Sequence, residues 1–332
     1  MDRRPQPLRP APSRVLLTGM GGELGSRVAS LLEVRSDVAR IVGIDFEPPR
    51  RRLTRSEFHR ISPHRSDRIK QVVRELDPTA IVHLGVYEPN ARANPSAARV
   101  ATAALTRTVF AAARRAPSLE RLVVRSGIEV YGRARGSVTR PDETAVPRPT
   151  CGFGRSLLEV EELASAAGSA LGVPVTALRF ASVVGPHLPS PLGRILRLPV
   201  VPVSAISDLP FSLVNQEDAA AAVVAALTAG WDGPLNVVAP GAVTAAQACR
   251  LGGRLPLPIV GPLWRVARLA SELAGAPMPD HVHELLVRGR VADGSRLRGA
   301  LSLTPALSTQ DVVKDLFDWA PVTVLDLREG VA

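Results

Sequence analysis

Cysteine is nearly missing from this chain of 332 residues, with only Cys151 and Cys249, far apart and in no CxxC pair. That excludes a disulfide framework and a cysteine-built zinc site, and it fits a reducing compartment. Lysine is as scarce: Lys70 and Lys314 are the only two, and every other basic residue is arginine. Tyrosine also occurs twice, as Tyr87 and Tyr131, and aromatics make up 4% of the chain, so the core must be built from Ala, Val and Leu. No uninterrupted apolar run approaches the ~18 residues of a membrane span. The opening MDRRPQPLRPAPSR carries charge and proline but no apolar stretch, so it is expected to be a disordered tail rather than a signal peptide. A cytoplasmic location is the expectation.

What is present is arginine, and the formal charge is +10. Such a charge raises the possibility of nucleic acid or an anionic lipid surface. The arginines are scattered, however, with only short clusters such as Arg50–Arg52, and there is no RNP, zinc-finger or helix-turn-helix signature. The expectation is no nucleic-acid partner and no transmembrane segment.

Short apolar runs alternate with helical spacing. RVLLTG, ARIVGID, TAIVHLG, LERLVVRSG and VPVTALRFASVVG read as strands. GSRVASLLEV, SDRIKQVVREL, PSAARVATAALTRTVFAAARRA and SLLEVEELASAAG read as helices, the second capped by Ser66 or Asp67 and the last ending at Gly168. Continuous apolar strands are those buried on both faces, so the fold class is α/β, a doubly wound parallel (Rossmann) sheet with a smaller C-terminal α/β lobe. PPRRRLTRSEFHRISPHRSD reads as irregular. The organisation expected is a tail over 1–13, a dinucleotide-binding domain over 14–185, and mainly a substrate lobe over 186–332, with 212–228 returning to the first domain.

The strongest local signal is LLTGMGGELGSRV. Gly19, Gly22 and Gly25 form G-x-x-G-x-x-G between a strand and a helix. The first allows a tight turn, the second a close backbone approach to a pyrophosphate, and the third tight helix–strand packing. Phosphate would rest on the helix N-terminus. Asp45 ends the second strand about twenty residues past Gly25, where an acid binds both ribose hydroxyls. That acid repels a 2′-phosphate, and Met20 leaves no basic residue in the turn, so NAD is favoured over NADP, with Arg50–Arg52 as the countersign.

Taken together, these segments resemble the extended short-chain dehydrogenases/reductases, the NAD-dependent epimerase/dehydratase group, from about residue 14 to 320. TGMGGELG is similar to TGxxGxxG, IVHLGV to the fourth-strand HLAA, RLVVRSGIEVYG to vSSxxvYG, LRFASVVGP to LRxxxvyGP, FSLVNQEDAA to fvhvdDva, and VADGSRLRGALSLTPALS to the C-terminal D.srlr.eLGw.P..s. The resemblance implies cofactor contacts from Gly19, Met20, Gly22, Glu23, Leu24, Gly25, Asp45, Leu84, Gly85 and Val86. It implies hydride transfer at a nicotinamide, with a tyrosine moving the hydroxyl proton, a lysine four residues on, and a Ser/Thr placing the carbonyl. It also implies a homodimer through the helices at Ala97–Arg115 and Ser156–Gly168.

At the catalytic positions the resemblance fails. TCGFGRSLLEVEEL aligns with spYgrsKxxxE, which puts Phe153 at the tyrosine and Leu157 at the lysine. Gly127 stands at the Ser/Thr, with Ser126 one step back, and Thr102 at the helix asparagine. No Y-x-x-x-K exists anywhere: Ala91 and Arg135 lie four residues beyond the two tyrosines. Glu129 matches the Glu of the dehydratase strand end STDEVYG, where it would remove a proton beside a carbonyl, or it is an ordinary strand-end carboxylate. Ser126 is a second candidate, as donor to a substrate oxygen. Cys151 reads as a structural thiol, Tyr131 as shaping the loop, Arg179 as structural, and His83 as packed. His281 and His283, in HVHE, read as a surface H-x-H strand without a third metal ligand. No metal is expected. PLWRVARLASELAG reads as a helix packed across the second lobe.

Three functions remain open on these grounds: an NAD-binding protein without conventional epimerase or dehydratase turnover, an NAD-dependent enzyme with Glu129 or Ser126 as an unusual proton donor, and a non-redox cyclase or lyase in the same pocket. The substrate or small-molecule ligand is not legible.

Overall fold

A computed structural model describes residues 14–89 and 94–318. The tail expected over 1–13 lies outside the described residues. In chain order the first half runs β1 (Arg14–Thr18), α1 (Glu23–Glu33), β2 (Arg40–Asp45), β3 (Ser56–Arg60), α2 (Ser66–Leu76), β4 (Ala80–His83), α3 (Pro95–Ala113), β5 (Arg121–Gly127), α4 (Gly152–Leu171) and β6 (Val175–Phe180). There follow β7 (Ser182–Val184), α5 (Pro191–Leu196), β8 (Val200–Ser204), β9 (Leu213–Asn215), α6 (Gln216–Ala229), β10 (Gly233–Val237), α7 (Ala245–Leu251), β11 (Leu255–Ile259), α8 (Leu263–Leu273), α9 (Asp280–Arg288), α10 (Arg296–Leu301) and α11 (Thr309–Phe317).

Seven parallel strands form one sheet in the order β10-β6-β5-β4-β1-β2-β3. Helices cover both faces, so β4 and β6 are buried along their whole length, as their apolar runs required. The chain winds outward from β1 in both directions. This makes the C-terminal ends of β1 and β4 the switch point, where an open α/β sheet leaves a crevice. A second apolar core, around Leu192, Ile195, Phe211, Leu213, Trp264, Leu285 and Leu316, holds the smaller lobe together.

Several boundaries differ from the sequence expectation. The irregular stretch contains β3, an edge strand paired from Ile41↔Ser56 to Asp45↔Arg60. Its side chains stay partly exposed, so it carries no apolar run to betray it. α2 begins at Ser66, with Arg65 as its cap. α4 continues past Gly168 to a left-handed cap at Gly172 (φ 66°); Gly168 lies inside the helix because a Cβ there would sit 2.2 Å from Val175 Cγ2. The single expected strand over 173–185 is two, β6 and β7, which join different sheets. The return to the main sheet extends beyond 228, since β10 is its edge strand and α6 packs on α1. α8 does not pack across the lobe: only Trp264 and Ser271 are buried, while Leu263, Val266, Leu269 and Leu273 face outward.

Candidate functional site

A cavity of about 580 Å³ opens at the switch point, and the first glycine turn forms one wall. Gly19 takes φ +78°, and a Cβ there would lie 2.6 Å from the Leu84 carbonyl carbon. At Gly25 a Cβ would meet Gly19 O at 2.0 Å, so helix and strand touch backbone to backbone. Gly22 differs. A Cβ there would meet only Gly19 O, at an ordinary 3.4 Å. The fold itself does not demand glycine at Gly22; what a side chain would fill is the open ground of the cavity. Gly22 is also the N-cap of α1 and offers that helix end no side-chain cap. A bare helix N-terminus facing an open cavity fits a pyrophosphate.

Of the ten residues named for cofactor contact, Gly19, Gly22, Glu23, Leu24, Gly25, Asp45, Leu84, Gly85 and Val86 line the cavity. Met20 does not; its side chain is fully buried over Gly43, where a Cβ would lie 2.1 Å from its sulfur. Asp45 accepts hydrogen bonds from the amides of Gly21 (3.0 Å), Phe46 (2.7 Å) and Glu47 (3.4 Å). Burial pushes its carboxyl above the ordinary value, and those amides only partly offset this. Arg50 lines the cavity, with Glu47 3.6 Å from its guanidinium, and Arg51 faces Glu23 at 3.7 Å.

At the other end of the cavity stand Phe153 and Leu157, both on the first turns of α4 and both buried. α4 comes close because Gly154 has no side chain: a Cβ there would be 2.6 Å from Glu129 O. Gly127 faces the same corner, and its missing side chain is replaced by a neighbour's. A Cβ at Gly127 would lie 2.2 Å from Glu129 Oε2 and 3.1 Å from Leu157 Cδ1. Glu129 itself is buried and accepts from Arg290 Nη1 at 3.2 Å, while Arg290 Nη2 donates to Glu284 at 2.7 Å. Ser126 lines the cavity but donates its hydroxyl proton to Glu161 Oε1. Glu161 is clamped in turn by Arg179, through bonds of 2.8 and 2.7 Å. Thr102 Oγ1 accepts from the Tyr87 amide at 3.0 Å.

The two tyrosines take other places. Tyr131 donates to Asn236 at 2.8 Å, accepts from Arg179 at 3.0 Å, and does not line the cavity. Tyr87 does line it, but its ring packs on Phe46 beside Asp45, and burial pushes its phenol far above the ordinary value. Arg135 is exposed and away from the cavity. Cys151 caps α4, its sulfur accepting from the Gly154 amide at 3.3 Å, and burial raises its thiol, so it is an inert structural group. His83 is enclosed between Thr18 Oγ1 (2.8 Å) and Thr106 Oγ1 (2.9 Å), and burial holds it down to about 4, hence neutral. Among the described residues no cluster of three His, Cys, Asp or Glu could hold a metal.

His281 overturns its sequence reading. HVHE opens helix α9 rather than a strand, and two residues along a helix the side chains diverge. His283 leaves edge-on toward Trp264 (centroids 4.8 Å), whereas His281 is buried and lines the cavity. Its ring packs against Phe153 in a tilted contact, with centroids 4.8 Å apart and planes 40° from parallel. Its Nε2 lies 2.9 Å from Glu88 Oε1. Arg125 holds the other oxygen of Glu88 at 3.4 Å. Burial pushes the Glu88 carboxyl up, but His281 and Arg125 outweigh it and keep the group below its ordinary value, an anion. Sequence reasoning missed Glu88 and Arg125, which carry no motif. His281 was legible in principle: it shares one helix stripe with the buried Val282, Leu285 and Leu286.

The model of the NAD dependent epimerase/dehydratase family matches residues 15–237. An uncharacterized protein of Mycobacterium tuberculosis is 30% identical over 315 residues, covering 92% of this chain and 84% of that protein. Among solved structures, a Thermus thermophilus UDP-glucose 4-epimerase in complex with NAD superposes with TM-score 0.72 at 21% identity, covering 92% of this chain and 98% of that one. A Bacillus cereus UDP-glucuronic acid 4-epimerase in complex with UDP-glucuronic acid and NAD gives TM-score 0.70 at 18% identity, with the same coverages. At these identities the structures establish the shared fold.

Proposed function

The chain belongs to the NAD-dependent epimerase/dehydratase family, and from that premise we propose that it binds NAD(H) at the switch-point cavity but has no conventional epimerase or dehydratase turnover. The observation that carries this reading is the pair Phe153 and Leu157, buried in the cavity wall and aligned with the positions where the family reaction needs a phenol and an ammonium. Phenylalanine keeps the ring but has no proton to exchange. Leucine packs but cannot hold a ribose or lower a neighbour's pKa.

Bound NAD would supply a two-electron acceptor or donor. Gly19, Gly22 and Gly25 would hold its pyrophosphate against the N-terminus of α1. Asp45 would accept from the ribose hydroxyls and would repel a 2′-phosphate, which favours NAD over NADP. A partner copy would pack on α3 and α4, the two helices that lie side by side on one face of the sheet.

Calorimetric titration tests the first half. NAD⁺ should bind at least tenfold more tightly than NADP⁺, a difference of about 1.4 kcal/mol, and Asp45→Ala should abolish the preference. Absence of heat with either dinucleotide would refute the reading. For the second half, UDP-galactose is the probe: the wild type should not convert it, whereas Phe153→Tyr with Leu157→Lys should gain measurable conversion. Wild-type turnover near about 10 s⁻¹, ordinary for an enzyme, would be incompatible with the proposal.

A second reading keeps the redox chemistry and moves the proton elsewhere. Glu129 and Ser126 are poor vehicles, since each is tied to a buried partner, Arg290 and Glu161. A different pair at the cavity favours this reading.

A further inference from the structure

The geometry points to His281, held by Glu88, as the proton-transfer group of this cavity, acting on the hydroxyl of a secondary alcohol or the matching ketone. The inference rests on the reading that NAD(H) occupies the cavity. It deepens that reading by naming the residue that takes over from the missing tyrosine.

Four observations carry it. The imidazole lines the cavity and packs, tilted, against the ring of Phe153, so it sits beside the place where the family's phenol would project. Its Nε2 is engaged by the Glu88 carboxylate at 2.9 Å, which selects the tautomer with the proton on Nε2. Nδ1 then carries the free lone pair. Among the described residues Nδ1 has no hydrogen-bond partner, yet it is not enclosed like the orphaned Nε2 of His283. Finally, the orienting carboxylate is itself anchored by Arg125, whose Nη1 also donates to Val86 O at 3.2 Å. A carboxylate that fixes one imidazole nitrogen while the other meets the reacting oxygen is a general acid/base arrangement.

The balance closes. Oxidation of a secondary alcohol would remove two electrons with the carbinol hydrogen, which bound NAD⁺ would accept as the two-electron acceptor. The hydroxyl proton goes to His281 Nδ1, the C–O bond becomes a carbonyl, and the ring becomes an imidazolium opposite the Glu88 carboxylate. Ketone reduction runs the same path backwards, with Nδ1–H giving its proton to the forming alkoxide. The other charges near the ring are Arg290, which donates to the His281 carbonyl at 3.4 Å, Glu129, which pairs with Arg290, and Glu284 one turn along α9. Arg290 is shared between those two carboxylates, so the Glu88–Arg125 pair stands as the separate charge partner of the imidazole.

Imidazole ¹⁵N NMR on the full chain tests this without a turnover assay. His281 is assigned by the signal lost in His281→Gln, and its titration is followed with saturating NAD⁺ and again with saturating NADH. The oxidised nicotinamide carries a positive charge that the reduced one lacks. If Nδ1 faces it, the His281 midpoint lies lower with NAD⁺, by on the order of one pH unit. The neutral ring should carry its proton on Nε2, and Glu88→Gln should lower the midpoint in both complexes. A merely structural histidine would respond to Glu88→Gln but not to the redox state of the dinucleotide. Identical midpoints with NAD⁺ and NADH, or a neutral ring protonated on Nδ1, would overturn the assignment while leaving dinucleotide binding intact. Failure of both dinucleotides to bind would remove the underlying reading and this inference with it.

Discussion

At Gly127 the absence of a side chain and the burial of Glu129 go together. Glu129 Oε2 occupies the volume that a Cβ on Gly127 would take, and Arg290 holds it there. A side chain at position 127 should therefore be poorly accommodated. Gly127→Ser is expected to expel the carboxylate from its guanidinium partner and lose about 3–5 kcal/mol of stability in urea denaturation, since breaking a buried ion pair strands a charge. A change under about 0.5 kcal/mol, the level of an innocuous surface substitution, would mean that Glu129 has room to turn elsewhere. The same crowding keeps Phe153 and Leu157 in place: both are packed against the corner that Gly127, Gly154 and Glu129 close.

Helix α4 is the element on which the site turns, and its two late glycines separate backbone from packing effects. Gly172 adopts φ +66°, and a Cβ added there would meet nothing within 4 Å, so Gly172→Ala should cost about 1 kcal/mol through backbone strain alone. Gly168 is helical, where alanine is intrinsically better by about 1 kcal/mol, yet its Cβ would strike Val175 at 2.2 Å. Gly168→Ala should therefore destabilise more than Gly172→Ala, against helix propensity. Thermal unfolding of the two variants decides it; the reverse order would show that β6 can retreat from α4. α9 has the complementary role, since it belongs to the second lobe's core yet delivers His281 to Phe153 on α4.

Across the whole molecule, the cavity exists only because the two lobes meet. The turn after β1, the ends of β4 and β5, the start of α4 and the start of α9 each supply a wall. None of the helices among the described residues is long and apolar enough to cross a membrane. The outer face of α3 leaves Val100 48% exposed next to α4. If that face is a dimer seam, light scattering should give twice the chain mass of 35.2 kDa, and Val100→Asp should shift the protein to monomer. A wild-type mass of one chain would dismiss the seam.

Local pattern was enough for the sheet and for the glycine turn between β1 and α1. Buried parallel strands must be apolar throughout, and a turn that brings strand and helix backbone together, as at Gly19 and Gly25, needs glycine. Strand β3 escaped because an edge strand needs no apolar run, and α8 misled because an amphipathic stripe does not say which side meets the core. His281 and Glu88 lie 193 residues apart, on elements that no periodicity links, so their pairing existed only once the second lobe had closed over the first. Side chains converge on a cavity through the packing of distant segments, and that is a property of the folded chain rather than of any stretch of it.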